Sequence, residues 1–200
     1  ARISDDGKRV DCYSFKTGKL LRNLFDVSNT MGKKIDSFDG YILSPDGTRM
    51  LIQTKTKSIY RRSFTAVYYL YNIASRKLEP LSDGGPQQVP VWSKDGLQVA
   101  FVREGNIYLV KLLYDNAEVQ DGKFNEVING LPVWVNEEEF GFNCALTFNA
   151  DGTMICWLRY DEKDVKTYSL QMYKGMKPEK QENAVYPGFY SYKYPKAGED

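Results

Sequence analysis

Histidine is absent from this 200-residue chain. That absence excludes a Ser-His-Asp or Cys-His relay within it and removes the commonest metal ligand. No Gly-x-Ser-x-Gly turn occurs either, so a serine nucleophile presented on a strand-turn-helix elbow has no place here. Cysteine is scarce, and Cys12, Cys144 and Cys156 lack the spacing of a metal site. Isolated cysteines on apolar strands are expected to be buried free thiols, with a Cys144 to Cys156 pair as the alternative. No apolar run approaches the roughly 20 residues that a membrane helix needs. An excess of one charge is also missing, since 27 Lys and Arg against 26 Asp and Glu leave a net +1. Without a basic block, neither nucleic acid nor an anionic membrane is expected as a partner. No metal or other cofactor is expected.

What the chain does have is a repeat. Ile3-Ser-Asp-Asp-Gly-Lys-Arg-Val10, Leu43-Ser-Pro-Asp-Gly-Thr-Arg-Met50, Trp92-Ser-Lys-Asp-Gly-Leu-Gln-Val99 and Phe148-Asn-Ala-Asp-Gly-Thr-Met-Ile155 share one pattern. An apolar residue enters, Asp-Gly reverses the chain, and an apolar strand leaves, because glycine accepts a positive φ without steric penalty. The Asp-Gly pairs begin at Asp6, Asp46, Asp95 and Asp151, spaced by 40, 49 and 56 residues. Short Tyr-, Val-, Ile- and Phe-rich runs fill the intervals, and none of them has a long 3.6-residue period.

Those intervals suit propeller blades of four strands. The expected fold is all-β: a β-propeller fragment of about four four-stranded blades, with a short helical turn near residues 136–140. The whole of residues 1–200 is read as one partial propeller domain. A start at Ala1 without methionine and a stop at Gly198-Glu199-Asp200 are expected of a piece of a longer protein. Two polar stretches, residues 114–123 and 174–183, read as surface connections.

The most unusual local feature is Leu131-Pro-Val-Trp-Val-Asn-Glu-Glu-Glu-Phe-Gly-Phe142, where three glutamates interrupt an aromatic, strand-like run. Neighbouring carboxylates on a strand point to opposite faces, whereas on a helix they stand about 100° apart, so convergence on one ligand requires a helical turn. Asn136 is the expected N-cap, with Glu137, Glu138 and Glu139 in the first turn and Glu139 closing a capping box. Acids in a first turn also satisfy the helix dipole with no ligand at all, so spacing alone leaves both readings open. A second feature is Tyr60-Arg61-Arg62-Ser63-Phe64. An Arg-Arg pair is an ordinary solvated hairpin feature, yet Tyr60 and Phe64 are placed to hold the Arg61 guanidinium at a pocket wall.

Together these two segments resemble the propeller domain of the dipeptidyl peptidase IV group, in the prolyl oligopeptidase family of serine peptidases. One motif of that family is matched by Tyr60-Arg61-Arg62-Ser63-Phe64-Thr65-Ala66, the other by Trp134-Val-Asn-Glu-Glu-Glu139. Ile128-Asn129-Gly130 and Tyr194-Pro195-Lys196-Ala197-Gly198 also look like family signatures, while the first 40 residues resemble it only through the blade pattern. Tyr60 stands where some relatives have Trp, and Arg62 is at a variable position.

The resemblance implies that Glu138 and Glu139 bind the free α-ammonium of a peptide substrate and that Arg61 contacts the carbonyl side of its first residue. Glu137 is expected to be a neighbour and not a ligand. The resemblance further implies an exported serine exopeptidase, a homodimer in its complete form, that releases N-terminal Xaa-Pro or Xaa-Ala dipeptides. Its nucleophile belongs to a C-terminal α/β-hydrolase domain that this chain does not contain, so no catalytic residue is expected here. The competing reading is a non-catalytic propeller that serves as a protein-interaction module. Paired carboxylates acting on a sugar fit poorly, since that chemistry sets two acids about 5 to 9 Å apart across a bond.

Overall fold

A computed structural model of the chain describes residues 1–112, 117–173 and 188–199. Strands Arg2–Ile3, Arg9–Tyr13 and Leu20–Asp26 form the first antiparallel sheet. Gly40–Leu43, Arg49–Ser58, Phe64–Asn72 and Lys77–Pro80 form the second, to which the short strand Met31–Gly32 adds in parallel. Gln88–Trp92, Gln98–Arg103, Asn106–Lys111 and Ala117–Val119 make the third, a four-stranded meander. Each Asp-Gly turn joins the first two strands of its sheet, so one repeat is one blade.

Among the described residues, only the third sheet has four strands. The first sheet has three strands and the second five, while the last repeat is split into two-stranded ladders. These pair Val127–Asn129 with Arg159–Asp161, Leu146–Phe148 with Ile155–Trp157, and Thr167–Met172 with Gly188–Lys193. The split has a local cause: the chain leaves the sheet after Gly130 and returns at Ala145. A ring of backbone bonds pins both ends of this excursion, with Ala145 N donating to Gly130 O, Leu158 N to Ala145 O, and Gly130 N to Leu158 O, at 2.9 to 3.0 Å.

The turns share one hydrogen-bond scheme. In the first three, the serine hydroxyl donates to the aspartate two residues on, at 2.5 Å each for Ser4, Ser44 and Ser93. The same oxygen accepts the backbone N–H five residues on. In the fourth, Asn149 replaces the serine and its Oδ1 accepts Met154 N at 2.9 Å. Gly7, Gly47, Gly96 and Gly152 all take φ between +67° and +73°. The hydroxyl and amide donors hold all four aspartates below the usual carboxylate range, Asp46 at about 2 through Ser44 and Thr48.

Alternation along each strand sends side chains to the two neighbouring blades. Met50 and Ile52 pack with Val10, Leu24 and Phe25 of the first sheet, while Leu51 between them packs with Trp92, Val99 and Phe101 of the third. In the third sheet, Ala100 and Val102 face onward to Leu146. Phe25 meets Phe38 and Tyr71 edge-on, with ring centroids 5.2 and 4.9 Å apart. Buried on both faces, the central strands read as continuous apolar runs, and each full burial of a Leu, Ile or Phe stabilises by about 1.5–3 kcal/mol. Large apolar side chains are exposed on the first sheet, at Leu20 and Leu21, and toward the end of the chain, at Leu158, Leu170 and Phe189.

Candidate functional site

The hairpin between Arg49–Ser58 and Phe64–Asn72 carries the first half of the site. Its ladder shifts register between Thr54 and Lys57, where Lys55 takes a φ of +53°. A tight tip follows, closed by Ile59 N donating to Ser63 O at 2.8 Å. Asp39 steadies the approach by accepting Thr56 N and Thr56 Oγ1 at 2.9 and 2.8 Å. Arg61 and Arg62 therefore stand at the exposed tip.

The second half is the one α-helix among the described residues, Trp134–Phe140. It begins three residues earlier than a cap at Asn136 would place it. Val133 occupies the N-cap in an extended conformation with no side-chain bond, and Asn136 lies inside the helix with a buried Oδ1 that has no hydrogen-bond partner. Tertiary contacts replace the side-chain cap: Trp134 packs 5.4 Å from Tyr194, and Gly141 ends the helix in the left-handed region with its N–H on Glu137 O.

Hairpin and helix meet through the three glutamates in three different ways. Glu138 Oε2 accepts Arg61 Nε at 2.9 Å, and the glutamate side chain is 16% exposed against 71% for the arginine. Glu137 is buried, and its Oε1 accepts the backbone N–H of Arg62 at 2.6 Å and of Ser63 at 2.8 Å. Arg62 Nη1 donates to Glu137 O at 3.0 Å, and Asn143 Nδ2 donates to Arg62 O at 3.0 Å. Glu139 is exposed and has no ion-pair partner among the described residues. Beneath the tip, the Tyr60 hydroxyl is pushed well up by burial, then by the charge of Tyr190 and a hydrogen bond to it, with smaller contributions from Tyr192 and Glu137.

With this geometry in place, the comparisons with known proteins decide the family. The family model described as the dipeptidyl peptidase IV (DPP IV) N-terminal region matches residues 44–200. The chain belongs to the DPP IV N-terminal family. A probable dipeptidyl-aminopeptidase B of Chaetomium globosum is 33% identical over 98% of this chain. Another of Penicillium rubens is 37% identical over 78% of it. The crystal structure of Porphyromonas gingivalis dipeptidyl peptidase 4 superposes with a TM-score of 0.89 at 34% identity, covering 98% of this chain. The chain spans 22% and 18% of those two curated relatives and 27% of the solved chain. The blades described above are those of a DPP IV propeller.

Within this DPP IV-type domain, two of the three expected site residues, Arg61 and Glu138, are in direct contact, and the third, Glu139, is the next residue of the same helix. Sequence reasoning missed the work of Glu137. Its only signal was chemical: a third adjacent acid needs donors if it is buried, but the donors are amides 74 and 75 residues away. The cavity of about 520 Å³ that Gln88, Asn106, Phe124 and Ile128 help to line does not include these residues. Among the described residues, no group of three or more His, Cys, Asp or Glu is placed to hold a metal ion. All three cysteines are free, but none is buried as expected: Cys12 and Cys144 are half-buried and Cys156 is exposed. In the stretch 114–123, residues 114–116 lie outside the described residues, and Asp121 pairs with Arg159 and Asn129 at 2.9 and 2.7 Å. The connection at residues 174–183 lies wholly outside them.

Proposed function

We propose that the Arg61 hairpin and the glutamate helix form the amine-anchoring subsite of a serine-type dipeptidyl peptidase. The observation that carries this reading is the 2.9 Å contact between Arg61 Nε and a largely buried Glu138 carboxylate, with Glu139 beside it. An ammonium offers three donors, and two carboxylates supply charge-assisted acceptors worth about 1.5–3 kcal/mol each. Arg61 offsets the two negative charges until a substrate cation arrives, and its guanidinium also suits the first carbonyl of the peptide. A blocked N-terminus loses these bonds and leaves crowded like charges without a cation.

The subsite acts as a ruler. Anchoring the amine brings only the bond two residues further on within reach of a nucleophile, which turns a hydrolase into an exopeptidase that releases Xaa-Pro or Xaa-Ala dipeptides. With no histidine in this chain, the nucleophile and its base are assigned to a C-terminal hydrolase domain of the complete protein. The relatives' names as dipeptidyl-aminopeptidases support the reaction class. The test is kinetic, on the full-length protein: Glu138→Gln and Glu139→Gln are expected to raise KM for free-amine peptides more than they lower kcat. Unchanged KM in both variants would refute the subsite.

A further inference from the structure

Glu137 is 2% exposed, on a helix of seven residues. A carboxylate taken out of water is stable only if donors replace its hydration, and Glu137 Oε1 accepts two backbone amides of the arginine hairpin. These amides need it equally. Arg62 N and Ser63 N sit at the hairpin tip, where the strand ladder does not take them up, so the carboxylate is their acceptor.

The two bonds act on peptide planes. The N–H of Arg62 is coplanar with the carbonyl of Arg61, so fixing one fixes the other and sets the direction in which the Arg61 side chain leaves the backbone. Ser63 N and Arg62 O belong to the next plane, which is held from both sides, by Glu137 and by Asn143 Nδ2. On the helix, the same anchoring sets the rotational phase, and Glu138 follows about 100° round. One buried side chain therefore orients both members of the Arg61–Glu138 pair.

We infer that Glu137 is a positioning residue of the amine subsite: its carboxylate locks the peptide planes on either side of Arg62 and so holds the Arg61 guanidinium against Glu138 before substrate arrives. The inference rests on the amine-anchoring reading above. It separates reach from charge. Glu137→Asp keeps the charge but withdraws the oxygen by one methylene, whereas Glu137→Gln keeps an acceptor oxygen at the original reach.

The test uses the full-length protein, with amide hydrogen exchange at residues 62 and 63 read beside the kinetics of a free-amine dipeptide anilide. In Glu137→Asp, these two amides are expected to exchange about tenfold faster and KM to rise about tenfold, with kcat little changed. Glu137→Gln is expected to stay within about threefold of wild type on both readouts. If Glu137→Asp fails to fold, Asn143→Ala, which releases only one side of the second plane, is expected to move both readouts in the same direction. Wild-type protection of the two amides in Glu137→Asp, or faster exchange with unchanged KM, would overturn the positioning role. Normal kinetics in Glu138→Gln and Glu139→Gln would instead remove the amine-anchoring reading, and the exchange result would still report the brace.

Discussion

Arg61 and Glu138, 77 residues apart in the chain, meet at 2.9 Å with unequal exposure, 71% for the arginine and 16% for the glutamate. The glutamate is the more buried partner. The arginine faces solvent while the carboxylate is mostly covered, which suits the proposed amine subsite.

That asymmetry separates stability from binding. An ion pair with one solvated partner contributes about 0–1 kcal/mol, so Arg61→Ala is expected to change the unfolding free energy by less than about 1 kcal/mol. The same substitution is expected to raise KM for free-amine peptides about tenfold in the full-length protein, because it leaves two carboxylates uncompensated. Denaturant unfolding and steady-state kinetics on one preparation check both halves.

Gly130 holds the start of the helical excursion. Its φ is +73°, and a Cβ there would lie 3.0 Å from Leu146 Cδ2 and 3.0 Å from Val102 Cγ2 in the third core cluster. Gly130→Ala combines a left-handed penalty with overpacking and is expected to cost about 2–4 kcal/mol. Gly47→Ala is the control, since Gly47 has φ +68° but nothing within 4 Å of an added Cβ. Its expected cost is the conformational part alone, about 1–2 kcal/mol. Equal costs for the two in urea denaturation would show that packing at Gly130 is not tight.

Acid sensitivity should track the blade turns. Asp46 is held at about 2 against a usual 3.8 by Ser44 and Thr48. A folded-state pKa below the unfolded one means that the stabilisation is complete above the unfolded value and is lost as pH falls through the folded one. The window for Asp46 therefore runs from 3.8 down to about 2. Asp46→Asn is expected to flatten the fall of the denaturation midpoint across that window. Asp6, Asp95 and Asp151, shifted in the same direction, keep the remaining slope. An unaltered pH profile in Asp46→Asn would contradict the assignment.

The blades were legible because their signals are local. Ser44, Asp46, Gly47 and Thr48 make their turn with one another, and the apolar run at Met50, Leu51 and Ile52 already implies burial on both faces. The pairing of Arg61 with the glutamates was legible only through motif resemblance, since nothing local to either segment points at the other. The helix start was misread because a local capping rule favours Asn136, while packing of Trp134 on Tyr194 moved the start to the residue after Val133. Glu137 was passed over for the same reason: its donors belong to the hairpin tip, and only the folded chain brings them within reach.

The most direct measurement compares, on the full-length protein, kcat/KM for one dipeptide substrate with its amine free and with it acetylated. If Glu138 and Glu139 anchor the ammonium, acetylation removes at least two charge-assisted bonds and is expected to lower kcat/KM by about a hundredfold or more. Equal values for the two substrates would contradict the account.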